Sequence, residues 1–200
     1  GHSSIRKRDT VLDIGAGSGA ISAVLARRCR RVIAYENELR ALEILRRNMA
    51  RYDNVTIVAE DFLSADLPSE SYKVFANIPF HLSSKIITKL AFAERPPSAM
   101  YFVVQKQFAQ KLVLTNTHFH SALGQVLAPW WTARVRRPLR RTDFTPPPAV
   151  DTVLLELKLR TDPLLDFSEA RDFHDFVLAC YHEPRSFARV YKGAEKPSAK

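Results

Sequence analysis

A glycine-rich turn is the first feature of this sequence whose residue types suggest a binding site. The apolar run 10–14 leads into Gly15-Ala16-Gly17, and a third glycine stands at position 19, before a run with helical spacing. Glycines let the backbone turn sharply and approach a ligand closely, and the helix that follows points its amide groups at that ligand. The spacing also fits a loose dinucleotide fingerprint, so the turn alone does not identify its ligand.

Two acidic positions narrow the choice of ligand. Glu36, followed by Asn37, ends the second predicted strand and lies 21 residues after Gly15, where a carboxylate can accept both hydroxyls of a ribose. Asp61 and Phe62 follow the third predicted strand, where a carboxylate can accept from the amino group of adenine and an aromatic ring can cover the base. An NAD site does not need the second acid. The pair therefore favours S-adenosylmethionine over NAD.

The segment Asn77-Ile78-Pro79-Phe80 ends the fourth predicted strand and carries the candidate chemistry. The Asn77 side-chain oxygen and the Ile78 carbonyl can accept the hydrogens of an exocyclic amine and aim its lone pair at a methyl group. Pro79 stiffens the turn, and Phe80 offers a face on which an extruded base can stack. No strong base is needed, because the sulfonium loses its positive charge on transfer and positioning supplies most of the catalysis.

The elements that must position these residues alternate between strands and helices. Apolar runs predict five strands, and apolar residues at helical spacing predict four helices between and after them. Repeated β-α units imply an α/β fold with a parallel sheet and helices on both faces. Two further strands, 130–135 and 153–159, are expected to form an antiparallel hairpin at one edge. The predicted strands are 10–14, 32–35, 55–59, 72–76 and 100–104, and the helices are 19–28, 39–49, 81–92 and 105–114.

The C-terminal part reads as a small helical appendage. We expect a catalytic domain over 1–160 and a partial helical domain over 161–200, with a helix capped by Ser168 and a mobile Lys-, Pro- and Ala-rich end over 192–200. Two cysteines are too few for a disulfide framework, the six histidines show no metal-ligand spacing, and no apolar run is long enough to span a membrane. These features predict a cytoplasmic monomer without a metal.

The motifs together resemble the rRNA adenine N6-methyltransferase family, most closely its erythromycin-resistance (Erm) branch. The resemblance rests on DIGAGSG at 13–19, the glutamate at 36, EDF at 60–62, NIPF at 77–80 and FTPPPAVD at 144–151. It implies a Rossmann-like class I methyltransferase fold, with S-adenosylmethionine as donor and S-adenosylhomocysteine as product. Its implied cofactor contacts are Gly15, Ala16, Gly17, Glu36, Asn37, Asp61, Phe62 and Asn77; its implied target-adenine residues are Asn77, Ile78, Pro79, Phe80 and Phe144.

The Erm branch methylates one adenine of 23S rRNA and so confers resistance to macrolides, lincosamides and streptogramin B. A sister branch dimethylates adenines of small-subunit rRNA and usually carries leucine and tyrosine where this chain has Ile78 and Phe80, so these residues favour the Erm branch. A glutamine-asparagine-phenylalanine motif that the family carries before the glycine turn is absent here. The alternatives are a small-subunit dimethyltransferase, a non-catalytic nucleic-acid-binding descendant of the fold, and an NAD-dependent oxidoreductase.

A cluster of arginines precedes Phe144 and predicts contact with RNA. The chain has 30 Lys plus Arg against 21 Asp plus Glu, and a net charge of +9 favours a polyanionic partner. We expect the cluster to hold a 23S rRNA hairpin, although alternation along a strand means that its members cannot all face one groove; a solubilising rim is the alternative. The cluster consists of Arg134, Arg136, Arg137, Arg140 and Arg141.

Overall fold

A computed structural model describes residues 3–113, 121–144 and 147–182, which form seven strands and six helices. Short 3-10 turns precede α3 and α6 and follow β6. The strands are β1 (Thr10–Ile14), β2 (Arg31–Tyr35), β3 (Val55–Val58), β4 (Tyr72–Asn77), β5 (Ala99–Gln105), β6 (Trp131–Leu139) and β7 (Thr152–Leu159). The helices are α1 (Ala20–Ala26), α2 (Leu39–Met49), α3 (Ser83–Ala91), α4 (Lys106–Leu112), α5 (Ala122–Leu127) and α6 (Ala170–His182).

The strands form one mixed sheet in the order β3-β2-β1-β4-β5-β7-β6. The first five are parallel, and β7 is antiparallel to both β5 and β6. The strand order reverses between β1 and β4, which pair directly. Strands β2 and β3 lie on one side of this point, and β5 lies on the other. In open α/β sheets a ligand binds outside the carboxyl ends of the strands at such a switch point. The glycine turn and the segment after β4 both lie there.

The sheet is buried because its central strands are apolar on both faces. Every residue of β1 is buried, and so are the first six of β5. Helix α3 packs Ile86, Ile87 and Leu90 against the sheet, each no more than 2% exposed. Near-continuous apolar runs of this kind are typical of parallel strands covered by helices on both sides. The predicted α/β architecture is confirmed.

The edge hairpin brings the Phe144 loop to the same end of the sheet as the glycine turn. Thr152 at the start of β7 pairs with both Gln105, at the end of β5, and Leu139, at the end of β6. The loop between β6 and β7 therefore leaves from the carboxyl edge of the parallel strands. The predicted strand 130–135 is too short: β6 continues to Leu139 through an irregularity between Val135 and Arg137.

Three local expectations are wrong. Helix α5 is absent from the sequence-based assignment, although Ser121 caps it by accepting a hydrogen bond from the Gly124 amide (3.1 Å). Ser168 does not cap α6; it lies in the preceding 3-10 turn and donates its amide to Asp166 (2.8 Å). Helix α1 spans seven residues rather than the ten expected from 19–28, since the chain turns after Ala26. The end segment 192–200 lies outside the described residues.

Helix α6 packs on the body of the sheet through Trp130. The indole contacts the rings of Phe92, Phe167 and Phe173 edge-on, with centroids 5.8–5.9 Å apart, and its Nε1 donates to the Leu165 carbonyl (3.0 Å). Buried Ala170 joins the same core. The division into domains at residue 160 stays a prediction.

Candidate cofactor and target-base site

The glycine turn has the backbone conformation that its sequence requires. Gly15, Gly17 and Gly19 all have positive φ, at 67°, 55° and 85°, a region that other residues rarely adopt. The amides of Gly15 and Ala16 both donate to the Tyr35 carbonyl at the end of β2 (2.9 and 3.0 Å). The turn is therefore fixed to the strand that carries Glu36.

Glu36 closes the other side of the turn. Its Oε2 accepts from the Gly17 amide (2.8 Å), and its Oε1 accepts from the amides of Asn37 and Glu38 (2.9 Å each). A carboxylate offers about four lone-pair sites, so one stays available while these three bonds persist. The carboxylate thus lies beside the glycine turn, where the family resemblance implies that a ribose binds.

The segment after β3 has a different geometry from the one expected. Asp61 is exposed, and its Oδ1 accepts from the Leu63 amide (3.0 Å). The Phe62 ring is only 5% exposed and packs edge-on against Tyr35, with centroids 5.1 Å apart. Phe62 is a core residue that presents only a small part of its surface to the cleft.

These residues line one cleft of about 60 Å³. Pro79 from the segment after β4 joins them, and a Cβ added to Gly15 would lie 3.7 Å from Pro79 Cδ. The glycine turn and the Asn77-Phe80 segment thus line the same cleft. Ala16, Gly17 and Asn77 are not in the lining. The predicted residues in the lining are Gly15, Glu36, Asn37, Asp61, Phe62 and Pro79.

The Asn77-Phe80 segment has three exposed residues, Pro79 among them, and one buried residue. Asn77 ends β4 with an exposed side chain, and Phe80 is 39% exposed. Ile78 is 1% exposed, so only its backbone can meet a ligand. The Pro79 carbonyl accepts from the Leu82 amide (3.0 Å) and the Ser83 hydroxyl (3.2 Å), which holds the turn. The segment can therefore offer an acceptor and a stacking face together.

Asp13 is a titratable group that the sequence analysis did not single out. It lies in β1, two residues before Gly15, and is 1% exposed. Burial raises its pKa to about 7; hydrogen bonds from Ser22 lower it, and the charge of Glu36 raises it. Oδ2 accepts from the Ser22 hydroxyl (2.6 Å), whereas Oδ1 has no partner within the described residues. The sequence signal that could have identified Asp13 is an acidic residue within an otherwise apolar predicted strand.

Phe144 is half-buried and follows a 3-10 turn over Arg141–Asp143. The Arg140 amide donates to Asp143 Oδ2 (3.0 Å), which fixes the start of that turn. Within the described residues no ring contact joins Phe144 to Phe80. The two aromatic residues share the carboxyl edge of the sheet, and the role of Phe144 as a second aromatic wall stays a prediction.

The structure divides the arginine cluster into separate groups. Arg136 lies 3.5 Å from Glu156, the residue that pairs with Arg134 across the strands. Arg137 instead lines an apolar groove beside α1. Arg141 is exposed, 3.2 Å from Asp151, and with Arg140 it flanks Phe144. Within the cluster this last pair is the one in the turn that leads directly to Phe144.

Two negative findings concern the described ranges 3–113, 121–144 and 147–182. They contain no group of three or more His, Cys, Asp or Glu side chains that could hold a metal ion. They also contain no helix that is long and apolar enough to cross a bilayer.

The strand order and the glycine turn at the switch point define a Rossmann-like S-adenosylmethionine-dependent methyltransferase fold. The 23S rRNA methyltransferase ErmE superposes with a TM-score of 0.78 at 28% identity, over 90% of this chain and 73% of that one. A dimethyladenosine transferase from Plasmodium falciparum gives a TM-score of 0.77 at 24% identity, over 90% and 66% of the two chains, and shows the fold alone. The model of the family "Ribosomal RNA adenine dimethylase" matches residues 1–185, so the chain belongs to that family.

Two curated relatives carry different names. Ribosomal RNA small subunit methyltransferase A of Listeria innocua is 30% identical over 192 residues, or 90% of this chain and 65% of its own length. An rRNA adenine N-6-methyltransferase of Lysinibacillus sphaericus is 33% identical over 176 residues, or 88% and 70% of the two. The chain thus spans about two thirds of the length of these relatives.

Proposed function

We propose that this chain is the catalytic part of an S-adenosylmethionine-dependent rRNA adenine N6-methyltransferase. The observation that carries the proposal is that Gly15 of the glycine turn and Pro79 of the Asn77-Phe80 segment line the same cleft. This arrangement places a cleft lined by the Glu36 carboxylate beside the exposed side chains of Asn77 and Phe80. Family membership supports the same activity.

The donor set of the cleft fits the cofactor. The positive-φ glycines leave room for a close backbone approach, Glu36 can exchange its bond to the Gly17 amide for a ribose hydroxyl, and Asp61 can accept from the adenine amino group. When bound, S-adenosylmethionine supplies an activated methyl group on a positively charged sulfur. The acidic residues of the cleft complement that charge, and the chain needs no metal for the transfer.

The target base is held by the segment after β4. Asn77 Oδ1 and the Ile78 carbonyl accept the two hydrogens of the adenine amine, which favours a pyramidal nitrogen with its lone pair free. Phe80 stacks on the base, and the hydrogen bonds to the Pro79 carbonyl keep both acceptors in place. Preorganised acceptors of this kind act where charge develops in the transition state. The amine proton leaves late, so no strong base is required.

Small-subunit rRNA is the first candidate substrate. The relatives from Listeria innocua and Bacillus licheniformis are both named small subunit methyltransferase A. This reverses the preference for 23S rRNA that Ile78 and Phe80 suggested. The 23S reading, with macrolide resistance as its consequence, remains the second candidate, because ErmE shares the fold at 28% identity.

Transfer of a labelled methyl group from S-adenosylmethionine to purified rRNA tests both levels of the proposal. We expect label on the N6 position of adenine in small-subunit RNA; label in 23S RNA alone would move the assignment to the second candidate. Asn77→Ala should reduce transfer by at least a hundredfold while binding of S-adenosylhomocysteine weakens only modestly. Gln125→Ala, an exposed change on α5, is the matched control. Full activity of the Asn77 variant would refute the role of the segment.

A further inference from the structure

Lys89 on α3 makes an unusual set of contacts for a partly exposed lysine. Its ammonium donates to the carbonyls of Phe62 (2.8 Å), Leu63 (3.0 Å) and Ala65. An ammonium has three N–H donors and no acceptor, so all three are used on one short segment. The same nitrogen lies 5.2 Å from the centroid of the Phe62 ring, within range of a cation–π interaction.

The segment held by Lys89 is a single turn that Asp61 organises from the opposite side. The Asp61 carbonyl accepts from the amides of Ser64 and Ala65 (3.0 Å each), and its side chain accepts from the Leu63 amide (3.0 Å). Asp61 thus accepts hydrogen bonds from three amides of the turn, and Lys89 donates to three of its carbonyls. Hydrogen bonds to a charged donor are stronger than neutral ones, so the lysine supplies the firmer half of this arrangement.

Lys89 also joins two parts of the site that the sheet does not join directly. The turn at 61–65 follows β3, and α3 follows the Asn77-Phe80 segment after β4. In the sheet β2 and β1 separate β3 from β4, so no strand ladder relates the two ends. Leu63 of the turn and Ile86 of α3 line the same cleft. The ammonium is therefore a direct polar link between the cofactor side and the target-base side.

We propose that Lys89 is a positioning residue that holds the 61–65 turn so that Asp61 can recognise the adenine amino group of the cofactor. This role rests on the proposed cofactor site. It requires a compact cation at which three carbonyls converge; a planar guanidinium presents its donors in a fixed fork and cannot aim three of them at one point. Arginine should therefore not replace this lysine.

The test compares binding of two nucleosides by calorimetry: S-adenosylhomocysteine and S-inosylhomocysteine, in which a carbonyl replaces the amino group. We expect the unaltered protein to prefer the adenine compound by roughly tenfold or more. In Lys89→Met, which keeps the aliphatic stem, the Kd for S-adenosylhomocysteine should rise roughly tenfold while that for S-inosylhomocysteine changes little. Lys85→Met, one turn earlier and exposed on the same helix, is the matched control.

Chemical restoration of the charge separates positioning from folding. Lys89→Cys treated with bromoethylamine regains an ammonium on a side chain of nearly the same length, and the treated unaltered protein controls for alkylation of Cys29 and Cys180. We expect the treatment to restore adenine preference, and urea unfolding without ligand shows whether each variant is folded. Unchanged preference in folded Lys89→Met, or no recovery on alkylation of the folded cysteine variant, would overturn the role of Lys89 alone. Failure of the unaltered protein to bind S-adenosylhomocysteine would overturn the cofactor site and this role together.

Discussion

Replacing Asp13 by asparagine should remove a pH dependence of folding that the structure locates in one buried carboxyl group. The side chain is 1% exposed, and burial is the largest cause of its raised pKa. Ser22 donates to this carboxyl group through its hydroxyl and its backbone amide, and Oδ1 has no partner within the described residues. Asparagine has the shape of the protonated acid and can still accept from Ser22, but it cannot ionise.

The magnitude follows from the difference between the folded and unfolded pKa values. The folded protein holds the proton up to about pH 7, whereas the unfolded chain releases it near the ordinary aspartate pKa of 3.8. Between these values unfolding releases a proton, so the free energy of unfolding falls as the pH rises. Three pH units at about 1.4 kcal/mol each amount to about 4 kcal/mol across the window. The group is fully buried, so solvent screening does not reduce this figure.

Urea unfolding of both proteins between about pH 4 and pH 9 measures this difference. We expect the two free energies of unfolding to agree within about 1 kcal/mol at the acidic end. The asparagine protein should then be more stable by up to about 4 kcal/mol at the basic end. Taking the difference cancels the titration of every other group. A difference that does not change with pH would show that Asp13 is not protonated in the folded protein.

Two further predictions concern the ligand sites. Glu36→Gln should raise the Kd for S-adenosylhomocysteine roughly ten- to hundredfold, because hydrogen bonds to a charged acceptor are stronger than those to a neutral one. The same substitution should raise the Kd for the 2′,3′-dideoxy analogue much less. Equal losses of affinity for the two ligands, measured by calorimetry, would argue against a ribose contact. Arg140→Ala with Arg141→Ala should weaken RNA binding and reduce the slope of log K against log salt by roughly 1 to 2. Arg46→Ala with Arg47→Ala, an exposed pair on α2, is the control, and an unchanged slope in the first double variant would remove the Phe144 loop from the RNA surface.

The sequence predicts the parts of the fold that depend on local patterns. Apolar runs located the five parallel strands along the chain, because each of these strands must be buried on both faces whatever its neighbours are. Helix α5 was not predicted, and it contains Gly124. In the structure a Cβ at that position would lie 2.7 Å from the Lys111 carbonyl oxygen, so packing against α4 requires the glycine. Gly124 is therefore required by a tertiary contact, which the local sequence does not show.

The candidate site shows the same division. The spacing of the glycines, Glu36 and the Asn77-Phe80 segment is visible along the chain, since each follows a strand end. The role of Lys89 is not visible, because a lysine at helical spacing reads as a solvated side chain. Three carbonyls meet it only after the 61–65 turn has folded against α3. The sequence likewise does not show that Tyr35 packs edge-on against the Phe62 ring.

The carboxyl edge of the sheet carries opposite charges at its two ends, and this arrangement suits a cationic cofactor beside a polyanionic substrate. The acidic side chains lie at the ends of β2 and β3, and the basic ones lie after β5 and β6. Three strand positions separate β2 from β5, or roughly 14 Å at the usual strand spacing, which exceeds the Debye length of about 8 Å at physiological salt. Phosphates near the Phe144 loop are therefore screened from the acids that face the cofactor. We expect the RNA to approach over the β5 and β6 half, with its target base directed toward Asn77. The acidic set is Glu36, Glu60 and Asp61, and the basic set is Lys106, Arg140 and Arg141.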